Sequence, residues 1–228
     1  MKINNVLLLF LIASSYMNSF TQTRLVLSVA LTNNHFEYRK KQYIQSIAIC
    51  GKFGYENPYV IEALKKSGPT FLNDHSTHVY YAQSNNPNFR NNGINEAATL
   101  AEGISYFNFD SDDMIIKMTG RYYWTTDFFF RLVENNPDTD VFVKVNENGD
   151  VFTLAFAMRY KYMVEMYKNM DYNAMERHWI NVEHEVGNYI KRKVKQGNFK
   201  VMYIKQLHIE CDLNGSSTAP GTTGTVFH

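Results

Sequence analysis

Short apolar runs alternate along the chain with longer segments whose apolar residues fall on one helical face. The runs predict β-strands over residues 24–32, 58–64, 77–82, 113–118, 140–145, 151–157 and 200–208. The amphipathic segments predict helices over residues 36–49, 95–106, 126–133, 160–169 and 173–193. Asn95 is the expected N-cap of the second helix. Strands that alternate with helices predict a single α/β domain, with a mainly parallel sheet covered by helices on both faces.

The two ends of the chain differ from this pattern. Lys2 followed by the apolar run 6–13 and by small residues is typical of a secretory signal peptide, which we assign to residues 1–21. The run is shorter than the ~20 apolar residues that span a bilayer. An uncleaved signal anchor, the only membrane contact predicted, would therefore require Tyr16, Met17 and Phe20 to extend the run, and an ordinary buried strand or helix is the other alternative. Residues 213–228 are rich in Gly, Ser and Thr and predict a disordered tail. The folded domain is therefore expected over residues 22–212, in a secreted or lumenal protein of the secretory pathway.

Composition narrows the classes of partner. Apolar residues make up 45% of the chain, which is enough for a packed core. The 23 basic and 22 acidic residues give a net charge of +1, so no long-range attraction to nucleic acid is expected. Any phosphate must be bound by a local site. The two cysteines, Cys50 and Cys211, fit either one disulfide or two unpaired thiols.

Two motifs carry a family resemblance: residues 91–97, NNGINEA, and residues 115–123, IIKMTGRYY. Together with the strand over residues 27–32, they resemble small glycosyltransferases of the nucleotide-diphospho-sugar transferase (GT-A) superfamily, of the bacterial and large-virus surface-polysaccharide kind. In those proteins an N-K-G-x-x-E loop precedes a helix, and a K-x-T-G-R-Y segment follows the central strand. The resemblance covers roughly residues 24–210. It implies a GT-A-like, Rossmann-type mixed sheet flanked by helices in a single domain.

The resemblance also implies a donor site at the carboxyl ends of the strands. Thr32 would lie at the nucleotide base and ribose, and Glu62 would be an acidic neighbour of the base. The loop beneath the donor sugar would contain Asn91, Gly93 and Glu96. The diphosphate and the transferred sugar would face Lys117, Thr119, Gly120, Arg121 and Tyr122.

Further contacts are expected near the end of the last strand and in two aromatic runs. His208 could contact a phosphate from the C-terminal loop, with a surface histidine as the alternative. The runs 122–124 and 128–130 are rich in aromatic residues and could stack on a sugar, although the second is more typical of a core.

The sequence departs from the family pattern at two places. Asn92 stands where the family often has a basic residue, and Arg90 could replace that contact. Typical GT-A enzymes have an Asp-x-Asp metal motif where this chain has Thr-Gly-Arg at residues 119–121. Because a guanidinium binds two phosphate oxygens in a fixed fork, Arg121 could perform the cation's function. We therefore expect transfer that requires no cofactor.

An acidic cluster offers the alternative in which Mn²⁺ or Mg²⁺ takes part. Asp110, Asp112 and Asp113 could together hold a hard cation. They precede their strand, however, and so lie at the opposite edge of the sheet from the expected donor site. A solvated acidic turn is the simpler interpretation.

The predicted helix over residues 173–193 contains a candidate general base. Its apolar face is formed by Tyr172, Met175, Trp179, Val182, Val186 and Ile190, and Glu183 falls inside that arc. A carboxylate on a buried face needs a partner or a function, because its isolated burial is costly. Glu183 could deprotonate an acceptor hydroxyl, or it could form an ion pair with Arg159 or Arg177.

The sequence thus predicts a hexosyl- or deoxyhexosyl-transferase that moves a sugar from a nucleotide-diphosphate sugar to a glycan or lipid-linked acceptor. Glu183 and Arg121 are the catalytic candidates, and Lys117 would help to stabilise the leaving diphosphate. The alternative is a secreted glycan-binding protein that keeps the fold without activity, which the leader, Asn92 and the absent Asp-x-Asp motif favour. A secreted hydrolase that uses Asp110 and Asp112 is a third interpretation, which no nucleophile elbow or paired motif supports.

Overall fold

Nine strands and six helices make up the part of the chain that the computed structural model describes, residues 21–32 and 36–211. The strands are β1 (Thr23–Val29), β2 (Tyr59–Glu62), β3 (Val79–Tyr81), β4 (Met114–Thr119), β5 (Tyr123–Trp124), β6 (Val141–Val143), β7 (Ala155–Arg159), β8 (Val201–Tyr203) and β9 (Ile209–Glu210). The helices are α1 (Phe36–Lys52), α2 (Asn92–Phe107), α3 (Phe128–Glu134), α4 (Tyr160–Lys168), α5 (Tyr172–His178) and α6 (Val182–Gln196). The predicted signal peptide, up to residue 20, and the predicted tail lie outside the described residues.

One mixed seven-stranded sheet has the order β3-β2-β1-β4-β7-β6-β8. Strands β1 to β4 run parallel, and β7 runs antiparallel to both of its neighbours. β5 and β9 form a separate two-stranded antiparallel ribbon. The chain adds β2 and β3 on one side of β1 and then returns to place β4 on the other. This switch creates a crevice at the carboxyl ends of β1 and β4, where α/β proteins bind ligands.

Two apolar layers cover the sheet and confirm the predicted single α/β domain with helices on both faces. On one face, α1 and α3 pack over buried residues of β1 and β4, such as Leu27 and Met118. On the other face, α2, α4 and α6 pack over Val26 and Ile115. None of the described helices is long and apolar enough to cross a membrane.

The start of α2 differs from the sequence prediction. Asn91 is the N-cap, and its side chain accepts a hydrogen bond of 2.9 Å from the Gly93 amide. Asn95 lies inside the helix, where its side chain bonds the backbone of Asn86 instead. The expected N-cap at Asn95 was therefore wrong, because Asn91 already satisfies the first free amide of the helix.

The predicted helix over residues 173–193 is interrupted at Trp179. This residue has φ 54° and ψ 38°, in the left-handed region, and its amide donates to the Met175 carbonyl. The break ends α5 and turns the Trp179 side chain outward, where it is 61% exposed. The prediction that Trp179 belongs to the apolar face was wrong, whereas Val186 and Ile190 are buried as expected.

The aromatic runs after β4 mostly belong to the core. Trp124, Phe129 and Phe130 are at most 2% exposed, and Tyr122 is 7% exposed. Of these runs only Phe128, at 43%, is clearly exposed. The expectation that residues 122–124 stack on a sugar therefore does not fit their burial. No disulfide joins Cys50 and Cys211, which both lie in the described part of the chain, and burial raises the pKa of Cys50 to about 12.

A close backbone contact fixes α6 on the turn that follows β6. A Cβ atom at Gly187 would lie 2.7 Å from the carbonyl oxygen of Gly149. Because a backbone oxygen cannot rotate away as a side chain can, we expect Gly187→Ala to lower the free energy of unfolding by about 1–3 kcal/mol. Urea denaturation measures this change.

In the control Gly51→Ala on α1, the added Cβ would meet only the Glu56 Cα, at 3.7 Å. The free energy of unfolding of Gly51→Ala should equal that of the wild type or exceed it by up to ~1 kcal/mol. Equal losses of stability in the two variants would contradict the importance of the contact between Gly187 and Gly149.

Candidate functional site

The crevice at the ends of β1 and β4 contains an unusual run of polar side chains on the face that α2 covers. Ser28 of β1 is paired with Thr119 of β4. Lys117 lies two residues before Thr119, so the strand period of two puts both side chains on the same face. The first turns of α2 bring Glu96 over them.

Lys117 is buried but fully satisfied. Its ammonium lies 2.7 Å from Glu96 Oε1, 3.0 Å from Thr119 Oγ1 and 2.7 Å from the Thr153 carbonyl oxygen. The residue is 1% exposed, so its charge has left water almost completely. Since an ammonium has three N–H donors, all of them are used by the protein.

Glu96 is the counter-charge of Lys117. Its Oε1 accepts hydrogen bonds from Ser28, Lys117 and Thr119. Burial opposes ionisation, but the Lys117 charge and these hydrogen bonds outweigh it and lower the pKa of Glu96. The carboxylate therefore stays charged at neutral pH. The side chain keeps 33% of its exposure, and none of the described residues donates to Oε2.

A small, partly open cleft lies beside this network. The lining residues are Gly93, Glu96, Ala97, Leu100, Lys117, Thr153, Tyr167, Val182 and Glu183. The cleft thus brings together four residues that the sequence predicted for donor binding or catalysis: Gly93, Glu96, Lys117 and Glu183.

Glu183 enters the cleft from the first turn of α6. Its Oε1 accepts a hydrogen bond of 2.9 Å from the Thr153 hydroxyl, and its backbone oxygen accepts one from the Val151 amide. Thr153 therefore connects Glu183 with Lys117, which donates to the Thr153 carbonyl. Sequence reasoning missed Thr153, because nothing in the pattern of its loop distinguishes it.

The ion pair considered for Glu183 does not form. Arg159 pairs with Asp140 at 3.3 Å, and Arg177 donates to the backbone of Asn173 on its own helix. Among the described residues no cation is paired with Glu183.

Arg121 lies on the other side of the same strand end. Gly120 donates from its backbone to the Ser28 carbonyl, and a Cβ there would lie 2.6 Å from Val29 Cγ1, so only glycine allows this close approach. The Arg121 guanidinium then lies 5.2 Å from the centre of the Tyr122 ring. Its Nε is buried and has no hydrogen-bond partner among the described residues. A buried donor without a partner costs about 1–3 kcal/mol.

Glu62 is placed differently from what the resemblance implied. Its carboxylate is fully buried and accepts hydrogen bonds from the backbone amides of Leu31, Leu64 and Lys65. Burial raises the pKa of Glu62, although these hydrogen bonds oppose the rise. Glu62 thus holds together the loops that follow β1 and β2, including the neighbour of Thr32, and does not face the cleft.

Three other predicted residues lie near the site but do not line the cleft. Asn91 caps α2, as described above. The Tyr122 ring is 7% exposed, and its carbonyl accepts a hydrogen bond from Ser46. His208 has φ 50°, and its ring meets the Phe128 ring edge-on at 5.3 Å. It belongs to the segment that leads into β9.

The acidic turn before β4 is held by basic side chains at the opposite edge of the sheet. Asp113 is 1% exposed and pairs with Arg24, and Asp112 pairs with Lys161. In residues 21–32 and 36–211, no three potential ligands of the His, Cys, Asp or Glu types are grouped as a metal site would require. At this turn the carboxylates of Asp112 and Asp113 are thus occupied by Lys161 and Arg24.

Comparison with known proteins identifies a likeness of fold. No protein-family model and no curated protein sequence matches the chain. A solved structure from Desulfovibrio desulfuricans G20, provisionally assigned as a nucleotide-diphospho-sugar transferase, is 6% identical, with a TM-score of 0.48 over 80% of this chain and 79% of that one. For 4-diphosphocytidyl-2C-methyl-D-erythritol synthase the identity is 10% and the TM-score 0.48, over 88% and 94% of the chains. An active-site mutant of LgtC is 9% identical, with a TM-score of 0.47 over 80% and 72%. These similarities assign neither a family nor a reaction to the chain.

Proposed function

We propose that this protein is a glycosyltransferase, of the hexosyl or deoxyhexosyl type, that uses a nucleotide-diphosphate sugar as donor and a glycan or lipid-linked acceptor. The observation that carries the proposal is the cleft at the carboxyl ends of β1 and β4, where Glu96, Lys117 and Glu183 meet. Glu96 and Lys117 belong to the two sequence motifs that resemble GT-A glycosyltransferases. Their position at the strand-order switch is where an α/β sheet binds ligands.

Glu183 is the proposed general base. Its Oε1 is oriented by the Thr153 hydroxyl, and no described residue donates to Oε2, so this oxygen can receive a proton. In a direct displacement, the acceptor oxygen forms a bond to the anomeric carbon while the bond to the diphosphate oxygen breaks. The bonding electrons leave with the diphosphate, and the hydroxyl proton passes to Glu183.

Arg121 is the proposed partner of the leaving diphosphate. It has a permanent charge, a forked donor geometry and a buried Nε that the described protein leaves unfilled. Lys117 has no free N–H, so we revise its role from phosphate contact to positioning of Glu96 and Thr153. The partly exposed Glu96 carboxylate would then accept hydrogen bonds from hydroxyls of the donor sugar.

The proposed reaction needs no metal, because the Arg121 side chain supplies the positive charge that a cation would otherwise bring to the diphosphate. We further propose that transfer takes place in the secretory pathway, on the basis of the signal-peptide sequence at the N-terminus.

Substitution of Arg121 tests the donor site. We expect Arg121→Ala to weaken the binding of nucleoside diphosphates by at least about tenfold, because a hydrogen bond to a charged group contributes ~1.5–3 kcal/mol. Calorimetry with uridine, guanosine and thymidine diphosphates, in EDTA and then in Mn²⁺, measures this change. The exposed Arg131, which pairs with Asp127 on α3, provides the control Arg131→Ala. Binding that occurs only with Mn²⁺, or that is equal in both variants, would contradict the proposed role of Arg121.

Substitution of Glu183 tests the chemical step. Glu183→Gln keeps the acceptor for Thr153 but removes the base, so turnover should fall by about 10²–10⁴-fold while donor binding stays unchanged. Product formation from radiolabelled donor sugars measures turnover. The matched control is Glu185→Gln, two residues along the same helix and outside the cleft lining. Similar turnover in the two variants would exclude Glu183 as the base.

A further inference from the structure

An exposed tryptophan lies close in sequence to two residues that line the cleft. Trp179 is 61% exposed, which is unusual for the largest apolar side chain. It lies three residues before Val182 and four before Glu183, both of which line the cleft. The proposed catalytic base and this ring are therefore presented by one short stretch of chain.

Trp179 is held in place by a charged pair rather than by a core. The Arg90 guanidinium lies 4.6 Å from the centre of the indole ring, a cation–π contact. Arg90 pairs in turn with Glu176 at 3.2 Å. Glu176 also accepts hydrogen bonds from the backbone amides of Arg90 and Asn91. These contacts connect the end of α5 with the N-cap of α2, whose next residues form the cleft wall.

The backbone conformation of Trp179 is unfavourable, and burial of the side chain does not offset it, because the side chain is exposed. A bulky residue with φ 54° is a clear outlier, and such a conformation is energetically unfavourable. Asn or Gly would adopt the left-handed conformation more easily. A ring that is neither buried nor conformationally favoured suggests a function at the surface.

We propose that Trp179, supported by Arg90, is the stacking platform for the acceptor sugar. Tryptophan presents a large flat apolar surface, which suits the apolar face of a sugar ring. Because Glu176 neutralises Arg90, the platform has no unpaired charge of its own, and the occupant that fits best is a neutral carbohydrate. Its distance along the chain from Glu183 allows a stacked sugar to direct a hydroxyl toward the base. This inference rests on the proposed glycosyl transfer and specifies where its acceptor binds.

The two tryptophans of the chain make the test selective. Trp124 is 1% exposed, so acrylamide quenching of the intrinsic fluorescence reports on Trp179. The full-length protein is first applied to a printed array of neutral and acidic oligosaccharides, and the retained glycans are then titrated in solution. We expect the retained glycans to be mainly neutral and to protect Trp179 from acrylamide.

The decisive variant is Trp179→Asn. Asparagine tolerates the left-handed backbone, so the variant should be at least as stable as the wild type, while its glycan affinity should fall about tenfold, the scale of a lost aromatic contact. The control is Tyr106→Ala, which removes another exposed aromatic residue, at 65% exposure. Tyr106 lies six residues beyond Leu100, the last residue of α2 that lines the cleft, or about 9 Å further along the helix axis at 1.5 Å per residue.

The outcomes separate this inference from the proposed function. Three outcomes would overturn the proposal that Trp179 is the acceptor platform. They are equal glycan affinity of Trp179→Asn and the wild type, the absence of any retained glycan, and the retention of acidic glycans alone. If nucleoside diphosphates still bind in those cases, the transferase proposal remains. If glycans bind through Trp179 but no nucleoside diphosphate binds, the platform remains and the transferase proposal fails.

Discussion

The buried ion pair between Lys117 and Glu96 is the constraint on which the rest of the site depends. An ammonium group that leaves water is tolerated only when each of its donors finds an acceptor and its charge a counter-charge. Here these partners come from α2, from β4 itself and from the loop before β7. A single charge therefore fixes the relative positions of three separate segments, and the cleft is the space that they leave between them.

The same strand end serves two chemically different sides of the sheet. On the α2 side, the polar groups satisfy one another and leave oxygens of Glu96 and Glu183 directed to the cleft. On the α1 side, the close packing of Gly120 on β1 leaves Arg121 with a buried donor that the described protein does not use. Acidic acceptors and a basic donor therefore lie on opposite sides of one strand end, and the donor proposed above would have to contact both.

Much of this arrangement could be predicted from the sequence, because it depends on local patterns. The order of strands and helices follows from apolar periodicity, and Glu96, Lys117 and Arg121 stand in recognisable motifs. The role of Lys117 could not be predicted, since an alternating strand pattern does not tell whether a lysine meets solvent or a buried carboxylate. Trp179 was misplaced for a related reason. A helical wheel assumes an unbroken helix, and neither Gly nor Pro marks the break at that position.

The packing of Gly187 on the carbonyl of Gly149 has a consequence for how such a protein can diversify. The contact attaches α6 to a backbone atom, which every sequence supplies, so the helix carrying Glu183 does not depend on a particular side chain across that contact. Mutations at the exposed positions between α5 and α6 can therefore accumulate without displacing Glu183. If Glu183 is the base, as proposed above, descendants of this chain could change the molecules they accept while that residue stays in place.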